Sequence, residues 1–105
     1  MSGRKGVDEE LEVLTVCGVG MGTSLIMRMT AEDVFKQLGL RAHVLATDVS
    51  SARGMAADIV IGQAMHTEEF VGKVPVVVTI ANFIDKTEMR DKILAGLEAA
   101  GWKAA

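Results

Sequence analysis

Two periodicities alternate along this chain from Leu11 onward. Short runs of near-continuous apolar residues, the mark of buried strands, give way to stretches whose apolar positions recur every three or four residues, the mark of helices. The first run, Leu11-Glu12-Val13-Leu14-Thr15-Val16, predicts a strand ending near Cys17. The helical stretch that follows places Met27, Ala31, Val34, Phe35 and Leu38 on one face and Arg28, Glu32 and Lys36, four apart, on a solvated one. Gly39 is its natural stop, because glycine accepts the left-handed conformation that ends helices. A second strand is predicted over 41–46, then a short helix or turn from Ser50 interrupted by Gly54, and a third strand over 58–61. Thr67 to Phe70 predicts a brief capped helix, in which Glu68 and Glu69 suit the first turn. Val74 to Ile80 predicts a fourth strand with Pro75 near its start. Asp85 and Glu88, spaced as a capping box, open a final helix that buries Met89, Ile93, Leu97 and Ala100 and stops at Gly101.

Strand–helix alternation with apolar strands predicts an α/β fold: a doubly wound, three-layer, Rossmann-like arrangement around a four-stranded parallel sheet. Ligands of such sheets bind at the carboxyl ends of the strands. Cys17 and the segments 47–51, 62–66 and 81–84 all fall on that edge and are the candidate walls of a site. At 105 residues there is room for one domain, expected over 11–105 with residues 1–10 as a loose tail.

The formal net charge of −3 lacks the basic footprint that nucleic acid requires, so no nucleic-acid partner is expected. No apolar run approaches the ~20 residues that cross a bilayer, and no apolar stretch follows the charged N-terminus as in a secretory signal. A lone cysteine forms no internal disulfide, which suits a reducing cytoplasm. No grouping of His, Cys, Asp and Glu has metal-ligand spacing, so neither metal nor resident cofactor is expected. Most of the seven methionines are expected in the core. Met21 is the exception, because its loop position suits contact with a partner protein.

The chemistry gathers at Cys17. After it come Gly18, Val19, Gly20, Met21, Gly22, Thr23 and Ser24, and then the helix. A glycine-rich strand-to-helix turn directs backbone N–H groups at an anion and adds the positive end of the helix dipole. The same field favours a thiolate, the nucleophilic form of cysteine. Alternating glycines let the backbone approach closely, and Thr23 and Ser24 add hydroxyl donors. A buried structural cysteine would need none of this. A nucleotide P-loop requires lysine before its Ser/Thr, and a dinucleotide fingerprint requires glycine at position 23, although Asp48 could meet a ribose. A cysteine phosphatase requires an arginine clamp six residues after the nucleophile, where this chain has Thr23, and without it hydrolysis loses its main charge stabilisation. Phosphate held as phosphocysteine is the reading left in front, with a phosphatase and a small nucleotide-binding module as alternatives. His66, on the loop after the third strand, is a possible phosphoryl or docking contact, and His43 is expected to be structural.

The stretch from Val16 to Met29, with Ala57-Asp58-Ile59-Val60-Ile61 and Ala81-Asn82-Phe83-Ile84-Asp85, resembles the enzyme IIB components of the bacterial phosphotransferase system, and most closely the ascorbate type. Thr23 stands where that type often has serine, and the N-terminal extension is a second departure. The resemblance implies a relay. Cys17 would take a phosphoryl group from a phosphohistidine on IIA and pass it to a sugar at the membrane component IIC, ascorbate or a pentitol- or hexitol-like substrate. Residues 18–24 would hold the phosphoryl oxygens. It also implies a cytoplasmic protein peripheral to the inner membrane through IIC.

Overall fold

The computed structural model of the chain describes residues 10–17, 22–63, 67–81 and 85–101. Four strands form one sheet: β1 (Leu11–Cys17), β2 (Ala42–Asp48), β3 (Ile59–Gly62) and β4 (Val76–Thr79). Their order across the sheet is β2-β1-β3-β4, and every pairing is parallel. Among the described residues three helices accompany them, α1 (Gly22–Leu38), α2 (Val49–Ala52) and, after β4, α3 (Lys86–Ala99), with a 3-10 turn over Glu68–Phe70. The expected α/β architecture with a four-stranded parallel sheet is therefore present.

Both faces of the sheet are covered, which is why the strands need no polar alternation. On one face Leu11 and Val13 of β1, Ile59 and Ile61 of β3, and Val76 and Val78 of β4 pack against Met27, Ala31, Val34 and Phe35 of α1 and Met89, Ile93 and Leu97 of α3. On the other, Leu14, Val16 and Val60 pack against Ala52 and Phe70. This second layer is thin, because α2 is four residues long. Arg53 and Glu69, paired as an ion bridge and by a second bond of 3.1 Å from Nη2 to Oε1, line a cleft of about 110 Å³ within it. The guanidinium holds the Glu69 carboxyl below the usual carboxylate range.

The helix ends follow their local chemistry. Gly39 takes a φ of 73°, and the Leu40 N–H reaches back to the Phe35 carbonyl at 3.0 Å, closing α1 as a glycine stop does. Asp85 caps α3 by accepting from the Glu88 N–H at 3.1 Å. The Glu88 carboxylate also reaches the Ala81 N–H at 2.9 Å, so it ties the end of β4 to the start of α3.

Several local expectations are corrected. β2 runs on to Asp48, because its pairing with β1 continues as far as Cys17. β4 begins only at Val76: Pro75 has no N–H for a ladder, and Val74 is left in an isolated bridge with Val71. Thr67 does not cap a helix with its side chain, since its hydroxyl is bonded to that of Thr79. Ala100 is only partly buried. Among the described methionines, Met27 and Met89 are in the core but Met29 and Met55 are exposed. Arg28, Glu32 and Lys36 do lie along the outer side of α1, with Arg28 half-buried. His43 is an exposed residue of β2, 3.1 Å from Glu12, whose carboxylate raises the imidazole above its ordinary pKa.

Candidate functional site

Chain order and spatial order disagree at one place in the sheet. From β1 the chain moves outward to β2 and then returns across β1 to β3, so the connections leaving β1 and β3 diverge to opposite faces. In parallel α/β sheets the crevice outside the carboxyl ends of two such strands is where ligands bind. Cys17 is the last residue of β1, in register with Asp48, and Gly62 is the last residue of β3. The lone cysteine therefore sits at the switch point.

α1 starts five residues later, at Gly22, and runs for 17 residues. Thr23 and Ser24 fall in its first turn. The first N–H groups of a helix have no partner within it and carry its partial positive charge. The first turn of α1 holds no acidic residue. The other two described helices differ in this respect: Asp48 occupies the N-terminus of α2, accepting from the Ser51 N–H at 2.6 Å, and Asp85 and Glu88 stand at the start of α3. Asp48, considered above as a ribose contact, caps α2 with its carboxylate, which the Ser51 N–H holds below its ordinary pKa.

The crevice is closed from behind by contacts that sequence reading missed. A Cβ on Gly62 would lie 2.9 Å from the Val16 Cγ2, 3.0 Å from the Val16 carbonyl oxygen and 3.2 Å from the Thr67 Cγ2. Glycine here lets the segment after β3 fold directly against the end of β1. The Thr67 N–H then bonds the Gln63 carbonyl at 3.1 Å, the Thr67 and Thr79 hydroxyls meet at 2.8 Å, and the Ile80 N–H bonds the Gly62 carbonyl at 2.9 Å. Lys92 donates to the Thr79 carbonyl at 2.8 Å and to Glu88 at 3.0 Å. The only signal in the sequence was a glycine ending the run Ile59-Val60-Ile61. Replacing Gly62 by alanine is expected to cost about 1–3 kcal/mol, because the fixed backbone oxygen of Val16 cannot yield cheaply. Urea unfolding of the variant measures it, and a cost below the uncertainty of the method would show that the contact relaxes.

Of the residues singled out from sequence, the structure brings the Cys17 backbone together with Gly22, Thr23 and Ser24 at one end of the sheet. Gly18, Val19, Gly20, Met21 and His66 lie outside the described residues, as do 64–65 and 82–84 of the candidate walls.

Comparison with known proteins decides the family. The family model for the lactose/cellobiose-specific IIB subunit of the phosphotransferase system matches residues 12–95. The chain is also 32% identical over 89 residues to the ascorbate-specific EIIB component of Mycoplasma pneumoniae (strain ATCC 29342 / M129 / Subtype 1), covering 82% of this chain and 94% of that protein. The protein belongs to the IIB family of the phosphotransferase system. IIB proteins are phosphotransferases that act with IIA and IIC components in sugar transport, so this one is a phosphoryl carrier within that system. Among its described residues, no helix of this IIB is long and apolar enough to cross a membrane. The family match begins at Glu12, inside β1, and ends at Ala95, inside α3, so it takes in all of the sheet but Leu11, with the edge that bears Cys17.

Proposed function

We propose that this IIB carries the phosphoryl group on the Sγ of Cys17. The observation that carries the reading is the place of Cys17: the end of β1 at the switch point, facing along the chain into a helix whose first turn has no acid to compete with an incoming anion. A thiolate in such a field is both stabilised and nucleophilic. In the first step it attacks the phosphorus of a phosphohistidine on IIA; the S–P bond forms as the P–N bond breaks and the imidazole leaves. In the second, a hydroxyl of the sugar held by IIC attacks, and the thiolate leaves.

Phosphoryl transfer concentrates charge on three equatorial oxygens, and positioning plus charge stabilisation supply most of the rate. The N–H groups of residues 18–22 and the hydroxyls of Thr23 and Ser24 are the donors we assign to those oxygens, and His66 is a further candidate contact. Position 23 holds threonine rather than arginine, so the phosphocysteine lacks the bidentate clamp that speeds hydrolysis. A carrier needs that slowness. The alternation of elements from Leu11 onward supports one IIB domain over 11–105 after a short tail. The sugar is taken to be ascorbate, after the named relative, or a pentitol- or hexitol-like substrate, with the protein acting in the cytoplasm and docking at the inner membrane through IIC.

Incubation with phosphoenolpyruvate, the general phosphotransferase proteins and IIA should add one phosphoryl group to the intact mass, and none to Cys17→Ser. Steady release of phosphate from an aryl phosphate would support a phosphatase instead, and thermal stabilisation by a nucleotide would support a nucleotide-binding module.

A further inference from the structure

β1 is held unequally at its carboxyl end. On the β2 side the ladder runs through Cys17, opposite Asp48, whereas on the β3 side it stops at Thr15, opposite Ile61. Beyond that point β3 meets β1 through Gly62, by packing. The Val16 carbonyl oxygen, the Val16 Cγ2 and the Thr67 Cγ2 all crowd the point where a Cβ of Gly62 would lie. The methyl of Thr67 and the backbone of Val16 therefore share the notch that glycine leaves open. The Val16 carbonyl and the Cys17 N–H belong to one planar peptide unit, so whatever fixes that carbonyl also fixes the plane from which Cys17 hangs.

The frame of the notch is tied on both sides. The Ile80 N–H holds the Gly62 carbonyl, and the Thr67 N–H holds the Gln63 carbonyl. What remains to be decided is the χ1 of Thr67, which is 2% exposed. A threonine carries two branches on Cβ, and χ1 determines which of them enters the notch. Its hydroxyl settles the choice. Oγ1 meets the Oγ1 of Thr79, the last residue of β4, at 2.8 Å, which leaves the methyl as the branch turned to Gly62.

We infer that Thr67 is a positioning residue for phosphoryl transfer: clasped to Thr79 by its hydroxyl, it sets its methyl in the Gly62 notch against Val16 and fixes the angle at which β1 presents Cys17. This rests on the reading of Cys17 as the phosphoryl carrier. Phosphoryl transfer runs in line, so a nucleophile tilted away from the P–N axis loses rate even where the partner still binds. Thr79 acts only through its hydroxyl, and Thr67 acts through both branches.

The test is the initial rate of Cys17 phosphorylation against the concentration of phosphorylated IIA, for the full chain and for Thr67→Ser, Thr79→Val, Thr79→Ser and the double variant Thr67→Ser/Thr79→Val. Thr67→Ser empties the notch and Thr79→Val releases the clasp. Each is expected to lower the rate at saturating IIA roughly ten-fold, less than the hundred-fold or so that a misplacement of about 1 Å costs. The half-saturating IIA concentration should stay unchanged. Thr79→Ser, which keeps the hydroxyl, should restore the parent rate. The double variant should be no slower than Thr67→Ser alone, because a clasp with no methyl to place has nothing left to set. Melting of the same samples separates this from a merely structural role, which would lower the melting temperature and leave the rate of the folded fraction intact. Thr79→Val leaves Thr67 and the notch chemically intact, and it serves if Thr67→Ser fails to fold. An unchanged maximal rate in Thr67→Ser and Thr79→Val would overturn the inference, as would a change confined to the half-saturating concentration or a Thr79→Ser variant as slow as Thr79→Val. If the wild-type chain is not phosphorylated on Cys17, the carrier reading fails and the positioning role with it; if Cys17 is phosphorylated and the variants match the parent, only the positioning role fails.

Discussion

Cys17→Ser should reduce sugar phosphorylation by the reconstituted system by about three orders of magnitude or more, the scale on which removing a nucleophile acts. The exchange of sulfur for oxygen preserves shape but not chemistry. A serine hydroxyl does not ionise near neutral pH, so it cannot replace the thiolate as a nucleophile. The fold should be indifferent to the change. A substitution that leaves packing and backbone intact shifts stability by only about 0.5 kcal/mol, so the melting temperature stays near that of the parent while transfer is lost. Activity and melting measured on the same sample separate the two effects, and parallel loss of both would assign Cys17 a structural role instead.

Phe35→Ala should do the reverse. Phe35 is the largest of the fully buried side chains and packs in the cluster between α1 and the sheet. Truncating such a ring removes its burial and leaves a cavity that close-packed neighbours fill only in part, a loss of about 3–5 kcal/mol. Against a total stability of about 5–15 kcal/mol, that brings the chain toward unfolding near physiological temperature. The urea midpoint should fall without a change in slope. Transfer measured at low temperature should remain close to normal for the fraction that is folded, because the ring sits more than two turns along α1 from the Cys17 edge. A loss below about 1 kcal/mol would mean that the core collapses around the gap.

The contrast between these two positions reflects what the sequence made legible. The core of α1 could be read at Met27, Ala31, Val34 and Phe35 because helix periodicity and burial are the same fact seen twice. Parallel strands were legible at Leu11, Val13, Ile59, Ile61, Val76 and Val78 because burial on both faces removes polar alternation. Strand ends were less so. β2 continues through Thr47 and Asp48, polar residues that no apolar pattern flags, because the ladder with β1 decides where pairing stops. Pro75 was seen, but its removal of a ladder donor shortens β4 to Val76–Thr79.

At the site, Cys17 and the start of α1 were legible from a glycine-rich turn following a strand. The support behind them was not: Gly62 against Val16, and Thr67 against Thr79, join residues far apart in the chain through backbone approach and hydroxyl pairing, which leave no periodic trace. Thr67 read as a cap for the opposite reason. Its local sequence suits a helix start, and the hydroxyl of a distant threonine competes successfully for the same side chain. The outer side of α1 shows a third kind of information, since Leu25, Ile26 and Met29 break the solvated pattern that Glu32 and Lys36 establish, and only the structure shows that they are exposed.

The central claim is that the phosphoryl group rides on sulfur, and the most direct measurement is to locate it. Phosphorylated chain, digested and mapped by tandem mass spectrometry alongside phosphorus NMR of the intact protein, should place the group on the peptide containing Cys17 with the signature of an S–P bond. A phosphoryl group found on His43 or His66, as a P–N bond, would contradict the account.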